Sequence, residues 1–248
     1  MRVKLIAKTP NMLDVVYTGA RTCYNAGSPI DMYEDIENIP EDKKLKLVKG
    51  CIESGHHSVL EHAYFTFAIE GISRACSHQL VRTRMASHSQ QSQRYVEIKE
   101  NQGELYDLLH CSPTDEKIAK MKELAEKYFV DVNDNNYYGY IHCLWQYALR
   151  VENGEKPEEA RNSLPNATKT NIVTSLNLRS FMNLCGTRLC TRAQLEIRQL
   201  VKEMVKEVVK NEEWLKPYLK SKCELSGFCT EAHGSCGRKP HINDIKRP

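Results

Sequence analysis

The sequence predicts a helix-rich α+β fold. Several long segments carry apolar residues at helical spacing, and only a few short, separated segments alternate polar and apolar residues as strands do. The chain has no internal repeat, and no stretch rich in Gly, Pro or Ser marks a linker. We therefore expect one domain over residues 1–220, followed by a Cys-rich tail over residues 221–248.

The first hundred residues contain both element types. Alternation predicts a strand at 2–8 and another at 63–69, whose Phe65, Phe67 and Ile69 share one face. Ser73 is a suitable N-cap for a helix that runs to about Arg84. The other predicted elements are helices at 12–24 and 41–54, the first ended by a Gly- and Pro-containing turn, and a short strand at 95–98.

The rest of the chain is mostly helical in pattern. Asp115 is a good N-cap for a long helix, and a helical pattern resumes after an ambiguous stretch and continues through Val151. An apolar stripe from Ile197 to Val208 is the strongest helix pattern. The remaining segments are a short helix between Lys156 and Pro165, a loop or strand at 166–178 and a helix at 179–184.

Length and composition exclude several classes of protein. The 248 residues suffice to bury a core without disulfides, and 41% hydrophobic with 27% charged residues is typical of globular chains. The net charge of +3 is too small for a dedicated nucleic-acid binder. The apolar runs are too short to span a bilayer, and the N-terminus lacks the apolar block of a signal peptide. Ten cysteines in such a chain predict free thiols and a cytoplasmic location.

The most unusual segment is polar and basic. Residues 82–95 contain three Arg, three Ser and three Gln, a composition that an ordinary solvated loop also has. Arg grips phosphate with paired N–H groups, and Ser and backbone N–H groups complete such a cradle. Gln side chains both donate and accept hydrogen bonds, which suits a base edge or a ribose. The segment therefore predicts a nucleotide site without identifying the nucleotide.

Histidines and a second group of arginines give weaker signals. His57 and Glu61 are four residues apart, as are Ser58 and His62, so each pair would share one helix face. The HExxH spacing is absent, which favours core or hydrogen-bonded histidines over a metal site. Arg and Asn side chains grouped further along the chain suggest anion contacts: Arg161, Asn177, Arg179, Asn183, Arg188, Arg192 and Arg198.

The cysteines fit no catalytic or metal pattern well. Cys76 and Arg82 have the C-x5-R spacing of a phosphatase loop, but the residues between them lack Gly and continue a helical pattern, so the match is interpreted as accidental. There is no Pro-Cys pair and no C-x-x-C motif. Four tail residues are candidate zinc ligands, although their spacing fits no standard finger and ordinary thiols are the simpler interpretation: Cys223, Cys229, His233 and Cys236.

Arg82-Thr83-Arg84, followed after seven residues by Ser92, resembles the R-H-R-x7-S signature of the flavin-dependent thymidylate synthases. Segments on both sides are similar to that family in the same order. Before the signature they are Gly55-His56, Leu60-Glu61-His62 and Phe65-Thr66-Phe67. After it they are Arg161, Leu164-Pro165, Asn177-Leu178-Arg179-Ser180, Asn183, Arg188 and Ala193-Gln194 with Glu196-Ile197. This collinearity from about residue 55 to about residue 198 is far more specific than a single motif.

The resemblance implies a reaction and an architecture. The reaction is reductive methylation of dUMP to dTMP, with methylenetetrahydrofolate as one-carbon donor and NADPH as the reductant of a bound FAD. In this family the flavin hydride goes to the pyrimidine and no enzyme thiol attacks the base, so the protein supplies positioning and electrostatics. The implied fold has a central mixed or antiparallel sheet flanked by helices. The implied assembly is a homotetramer whose active sites are built from several subunits.

The resemblance also implies residue roles. Ser92 and Arg94 grip the dUMP phosphate from a neighbouring subunit. Arg188 is the catalytic residue, because a cation at the uracil edge favours the N3-ionised form. The complete dUMP set is Gln79, Leu80, Val81, Arg82, Gln90, Gln91, Ser92, Gln93, Arg94, Arg161 and Arg188. The complete FAD set is His56, Ser58, Arg82, Thr83, Arg84, Gln90, Asn177, Leu178, Arg179 and Asn183. No metal is implied.

Two positions depart from the family's pattern. Thr83 stands where the family usually has His, and Thr neither stacks nor titrates like an imidazole, although its backbone contacts would survive. At Gln90 some members carry Glu, so the dUMP pocket differs by one charge. The arginines that carry the phosphate and uracil chemistry are all present.

Two other classes of function compete with this interpretation. An RNA-binding module would use the Arg/Ser/Gln segment to grip a phosphate backbone, but charge is nearly balanced and aromatic residues are only 8%. A zinc hydrolase would use His56, His57, Glu61 and His62, and would need stoichiometric metal.

Overall fold

A computed structural model describes residues 1–231 and 233–245 of the chain. The strands in this part are β1 (Arg2–Lys8), β2 (Tyr64–Ser73), β3 (Ala86–Gln90) and β4 (Lys169–Asn177). The α-helices are α1 (Met12–Thr22), α2 (Pro29–Glu34), α3 (Glu41–Glu53), α4 (Arg74–Leu80), α5 (Gln102–His110), α6 (Asp115–Tyr128), α7 (Tyr137–Glu152), α8 (Pro157–Ala160), α9 (Leu178–Arg188), α10 (Leu195–Asn211) and α11 (Lys222–Ser226). Short 3-10 turns occur at His57–His62 and Arg161–Ser163, among others.

The four strands form one antiparallel sheet in the order β1-β2-β4-β3. Side chains across neighbouring strands fix its register. The hydroxyl oxygens of Thr66 on β2 and Ser175 on β4 lie 2.9 Å apart, and the Gly71 N–H donates to Asn171 Oδ1 at 3.1 Å. The expected helix-rich α+β fold, with its sheet flanked by helices, is therefore confirmed, and the sheet is antiparallel.

The chain folds as two compact units, which are described separately. The first unit comprises Met1, Glu70–Gln79 and Ser89–Ile172. The second comprises Arg2–Ile69, Leu80–His88 and the described residues from Val173 onward. The expected division into a domain of residues 1–220 and a tail of residues 221–248 concerns a different boundary and stays a prediction.

The core of the first unit lies between α5, α6 and α7. Two of these helices begin at side-chain caps: Asn101 Oδ1 accepts from the Glu104 N–H at 3.0 Å, and Thr114 Oγ1 accepts from the Lys117 N–H at 3.3 Å. The apolar faces of the three helices meet in one buried cluster: Leu105, Leu108, Leu109, Met121, Ala125, Phe129, Ile141, Leu144 and Ala148. This cluster lets the helices stabilise one another.

The core of the second unit is built on aromatic residues of β2. Phe65 and Phe67 are fully buried, as predicted, and their ring centroids lie 5.7 and 5.6 Å from that of Phe181 on α9. The apolar stripe of α10 is buried and the helix packs against β1 and α9. Ile69, predicted on the same face of β2, is also buried. Alternation in β2 thus reports the buried face correctly.

Around the signature the structure differs from the sequence prediction. The helix that Ser73 caps ends at Leu80, not near Arg84, because the Thr83 N–H turns back to the Leu80 carbonyl at 3.0 Å and Met85 has a left-handed φ of 56°. A polar strand, β3, follows at once, where the sequence predicts only a loop.

Three further predictions about elements need correction. The short strand predicted at 95–98 is wrong: a turn forms there, with the Val96 N–H bonded to the Ser92 carbonyl at 3.0 Å. Thr114, not Asp115, caps α6. Helices α2, α5 and α11 were not predicted, because all three are short and neither α2 nor α11 has a buried residue.

None of the helices in residues 1–231 and 233–245 combines the length and the apolar character that crossing a bilayer requires.

The contact between Phe181 and the two phenyl rings of β2 provides a test of this core. We expect Phe181→Ala to lower the free energy of unfolding by about 3–5 kcal/mol, since it leaves a cavity between β2 and α9. Urea denaturation at fixed protein concentration measures the change. Lys202→Ala on the exposed side of α10 is the control, with an expected change within about 0.5 kcal/mol. Equal losses for the two variants would contradict the assignment of the core.

Candidate functional site

The signature arginines lie on a short turn of the second unit, between α4 and β3. Leu80 is buried, whereas Val81, Arg82 and Arg84 are exposed and Thr83 is half-buried. Neither Arg82 nor Arg84 forms an ion pair with any residue in the part of the chain that the structure describes. Two guanidinium groups without a neutralising carboxylate, two residues apart on one turn, form an arrangement suited to an anionic ligand.

His88 on β3 is a half-buried neighbour of this turn that the sequence did not single out. Its Nδ1 lies 2.9 Å from Thr174 Oγ1 on β4. Its Nε2 is buried and has no hydrogen-bond partner among the described residues. Burial lowers the pKa of His88, and its proximity to the Thr83 backbone opposes that shift only in part. The imidazole is therefore held neutral close to the position where the family has its signature His.

The N-terminal end of α9 holds four of the predicted FAD residues. Asn177 is buried and caps the helix, its Oδ1 accepting from the Ser180 N–H at 2.8 Å. Leu178 is fully buried, and its N–H donates to the Ala63 carbonyl at 2.8 Å. Arg179 and Asn183 are exposed on one face of α9, and Arg179 forms an ion pair with Glu61. Arg179 and Asn183 are thus accessible from solvent, whereas Asn177 and Leu178 position the helix.

Arg188, the predicted catalytic residue, is the last residue of the same helix and is half-buried. A cation at this place lies at the negative end of the helix dipole. The intervening turns of α9 separate it from Arg179 along the helix.

A cavity of about 530 Å³ opens between α1 and α3, with His56 on its wall. Three cations line it, Arg21, Lys43 and Lys46, together with Tyr17 and Tyr24. Ser58, which was predicted to accompany His56, is exposed and does not line the cavity. No sequence pattern indicated the three cations, because they lie on two helices and only the packing of α1 on α3 brings them together.

In the first unit, the residues after β3 line a second cavity, of about 260 Å³. Gln91, Ser92 and Gln93, all predicted to bind dUMP, lie on its wall. The Gln91 N–H donates to the Asn171 carbonyl at 2.9 Å, which holds this stretch against β4. None of the described residues that line the cavity is a cysteine. The structure thus brings three predicted residues together as neutral donors and acceptors around one space.

Gln90, the last residue of β3, faces polar neighbours. Its Nε2 donates to Ser77 Oγ at 2.8 Å and to Thr170 Oγ1 at 3.2 Å. Gln79, two residues after Ser77 on α4, is half-buried. These contacts fix the start of the Gln91–Gln93 segment.

Three arginines of the first unit differ in their partners. Arg94 Nε donates to Glu158 Oε2 at 2.7 Å, and this pairing lowers the pKa of the Glu158 carboxyl. Arg74 donates to the Gln91 carbonyl at 3.4 Å, and its pKa is lowered by burial and by the nearby charge of Arg161. An anion bound near Arg74 and Arg161 would reduce the repulsion between their like charges. Arg94, by contrast, would bind an anion in competition with Glu158. Sequence reasoning missed Arg74, which precedes the signature on α4.

The histidines considered as metal ligands have separate contacts. His57 Nε2 lies 3.1 Å from the Ile52 carbonyl, and the His62 ring packs closely on Gly19. In residues 1–231 and 233–245 no three or more His, Cys, Asp or Glu side chains are grouped in a way that could hold a metal ion.

The predicted residues therefore divide between the units. Those in the first unit are Gln79, Gln90, Gln91, Ser92, Gln93, Arg94 and Arg161. Those in the second are His56, Ser58, Leu80, Val81, Arg82, Thr83, Arg84, Asn177, Leu178, Arg179, Asn183 and Arg188.

Comparison with known proteins identifies the family. The family model described as "Thymidylate synthase complementing protein" matches residues 4–212. The chain belongs to the flavin-dependent thymidylate synthase family. The member from Nitratidesulfovibrio vulgaris is 38% identical over 96% of this chain and 95% of that protein. The member from Clostridium tetani is 37% identical over 99% of this chain and 96% of that protein.

Solved structures of flavin-dependent thymidylate synthases share the fold. The enzyme from Helicobacter pylori, complexed with FAD and dUMP, superposes with a TM-score of 0.68 at 25% identity. The match covers 89% of this chain and 100% of that one. The family resemblance inferred from the signature is therefore confirmed.

The lowered pKa of the half-buried His88 predicts a pH dependence of stability. Its folded-state pKa lies below the unfolded value of about 6.5, so the unfolded chain binds the proton more readily and stability falls as pH drops below that value. We expect the melting temperature to fall less between pH 7.5 and pH 5.5 in His88→Asn than in the wild type. Thermal unfolding at both pH values measures this difference, with exposed His78→Asn as the control. An unchanged pH dependence in His88→Asn would contradict the lowered pKa of His88.

Proposed function

We propose that this chain catalyses the reductive methylation of dUMP to dTMP in dTMP biosynthesis, as an FAD-dependent thymidylate synthase. Methylenetetrahydrofolate would donate the one-carbon unit and NADPH would be the reductant. The proposal is supported by family membership over nearly the whole chain and by a related structure whose ligands are FAD and dUMP. The single observation that carries it is that Gln91, Ser92 and Gln93 of the signature segment line one cavity.

The proposed dUMP contacts combine neutral and cationic groups. Ser92 and the two flanking Gln side chains offer donors and acceptors to the nucleotide, while Arg74 and Arg161 supply positive charge in the same unit. Arg94 would bind the phosphate either with N–H groups that Glu158 does not use or after its ion pair with Glu158 has broken. The second unit would contribute further contacts to dUMP through Leu80, Val81, Arg82 and Arg188. We also propose that Ser92 and Arg94 bind the dUMP phosphate in the active site of a neighbouring subunit.

The residues of the second unit fit a flavin dinucleotide. Arg21, Lys43 and Lys46 line the cavity that contains His56, and a diphosphate needs such cations. Tyr17 and Tyr24 on the same wall offer aromatic surface to a ring system. Arg82 and Arg84 add two unneutralised cations, and Arg179 and Asn183 add exposed polar side chains. When bound, FAD supplies the hydride that it has received from NADPH.

We propose that no cysteine acts as the nucleophile. None of the described residues around the Gln91–Gln93 cavity is a cysteine, and Cys76, which follows β2 on α4, is fully buried. Burial raises the pKa of the Cys185 thiol on α9 well above its usual range. Arg188 instead activates the base, because its fixed positive charge stabilises the N3-ionised uracil.

The proposal also covers the assembly, the location and the partners of the enzyme. We propose a homotetramer in the cytoplasm that acts on small molecules only, with no nucleic-acid or membrane partner and no metal. The proposed catalytic domain spans residues 1–220, and the tail from residue 221 has a separate role.

Visible absorption spectroscopy tests the proposed function. We expect the purified protein, incubated with FAD and desalted, to keep a flavin spectrum that shifts when dUMP is added, because both ligands would share one active site. Coupled formation of dTMP, measured with methylenetetrahydrofolate and NADPH, completes the test. Absence of bound flavin after incubation, or flavin without dTMP formation, would overturn the proposal; salt-sensitive RNA affinity or stoichiometric zinc would then favour the alternative functions.

Replacing the proposed uracil-activating cation gives a sharper test. We expect Arg188→Ala to keep FAD but to lose about 100- to 1000-fold in kcat, the size of effect typical for removal of one charge-stabilising group. Steady-state kinetics of dTMP formation, with flavin content measured on the same sample, check this. Arg150→Ala is the control, since that arginine pairs with Glu155 on the surface of the first unit. Full turnover by Arg188→Ala would exclude the proposed role.

A further inference from the structure

Four of the ten cysteines line one cavity in the second unit, and none of the residues assigned above to dUMP or FAD is among its lining residues. The cavity measures about 120 Å³, and its cysteines are Cys190, which follows α9, and Cys223, Cys229 and Cys236 of the tail. All four thiols are free in this structure. The other six cysteines do not line this cavity. Four free thiols around one small space suggest that they can react with one another.

The tail is held over this cavity by specific contacts. Arg192 forms an ion pair with Glu231 and donates to the His233 carbonyl at 2.9 Å. Cys229 is fixed on both sides of its backbone: its N–H donates to the Pro240 carbonyl at 2.8 Å, and its carbonyl accepts from the Ile242 N–H at 2.9 Å. The cavity is therefore a built feature of the fold.

The four thiols differ in accessibility. Cys236 is exposed, Cys190 and Cys223 are half-buried and Cys229 is buried. Hydrogen bonds from Thr191 and from Arg238 lower the pKa of the Cys236 thiol to about 7. Near neutral pH a large fraction of Cys236 is thus thiolate, the form that attacks peroxides and disulfides.

The Arg238 guanidinium interacts with both Cys236 and Cys223. Its pKa is raised first by Cys236 and also by Glu224 and Cys223, so both thiols lie within its electrostatic range. Cys223 is on α11, where its Sγ lies 3.5 Å from Ser221 Oγ. Cys229, by contrast, is buried and restrained by its backbone bonds. Cys223 is therefore a better placed partner for Cys236 than Cys229 is, and it shares the Arg238 charge with Cys236; Cys190, beside Thr191 on the same cavity, is the competing partner that the experiment must separate from it.

We propose that Cys236 is a hydroperoxide-sensitive modification site and that Cys223 resolves its oxidised form into a disulfide. The Cys236 thiolate attacks the distal oxygen of a hydroperoxide, the O–O bond breaks, and the released alkoxide or hydroxide takes a proton to leave as alcohol or water. The Cys223 sulfur then attacks the Cys236 sulfenic acid, forms the S–S bond and expels water. Two thiols lose two electrons in total, and one hydroperoxide is reduced. This proposal does not depend on the proposed function.

Limited oxidation of the whole protein with hydrogen peroxide tests the proposal. Cleavage after glutamate separates the three tail cysteines, because Glu224 lies between Cys223 and Cys229 and Glu231 lies between Cys229 and Cys236. Mass spectrometry under non-reducing conditions should find the Cys223 and Cys236 peptides joined, with the loss of two hydrogen atoms. In Cys223→Ser, a dimedone adduct should instead accumulate on Cys236.

Matched controls make the outcome decisive. Cys111 is exposed but belongs to the first unit, and at pH 7 we expect Cys236 to react with iodoacetamide at least about fivefold faster than Cys111. Cys111→Ser should leave the disulfide yield unchanged, whereas Cys236→Ser should abolish it. Equal reactivity of the two thiols, or linkage of Cys236 mainly to Cys190 or Cys229, would overturn the assignment. So would one zinc ion per chain in the purified protein that is lost in Cys236→Ser, since the four thiols would then be metal ligands.

Discussion

The antiparallel pairing of β2 with β4 is the interaction on which the rest of the structure depends. It joins residues about a hundred positions apart, such as Thr66 with Ser175 and Gly71 with Asn171. Closing so long a segment costs conformational entropy that only a large buried surface offsets. The phenyl rings of β2 packed against Phe181 supply part of that surface. The strand pair also positions the next elements of the chain, since α4 and the signature turn continue from β2 and α9 continues from β4.

Pairing of charges divides several of the described arginines into two groups. Arg94, Arg179 and Arg192 each have a carboxylate partner, which neutralises them and fixes their side chains. Arg82 and Arg84 have none among the described residues, and Arg74 faces another cation, Arg161. Like charges held close together lower the stability of the folded state, and a bound anion would restore that stability. Arg82 and Arg84 of the second group belong to the signature that defines the family, whereas Arg74 and Arg161 lie outside it.

Sequence patterns predicted elements whose apolar spacing is local. The alternation of Phe65, Phe67 and Ile69 and the stripe of α10 both reported buried faces correctly, because burial imposes the period of the element on the chain. β3 was missed, since Ser, His and Gln show no apolar alternation and the strand exists through its pairing with β4. Arg21, Lys43 and Lys46 were missed for the same kind of reason. They share a cavity only after α1 has packed on α3, and no local motif records that packing.

The signature motif, by contrast, was recognisable because its members are close in sequence. Its family was identified from residues 82–92 and from the order of the flanking segments, and full-length relatives confirm it. The motif did not convey the local geometry: the helix ends at Leu80, Met85 takes a left-handed conformation, and the half-buried His88 lies beside Thr83. The position of His88 depends on a tertiary contact with β4.

Gln90 is held by two hydroxyl groups, and this has a consequence for how the position can drift during evolution. Hydroxyl groups of Ser77 and Thr170 accept from the amide nitrogen here, yet Thr170 can rotate to donate to a carboxylate of the same shape. The Ser77 hydroxyl, by contrast, donates to the Arg74 carbonyl at 2.8 Å and would have to give up that bond, so exchange between Gln and Glu rearranges the hydrogen bonds of both hydroxyl groups. Lineages of this fold can change the charge at the end of β3 by a single nucleotide substitution, provided that the hydroxyl groups around it reorient.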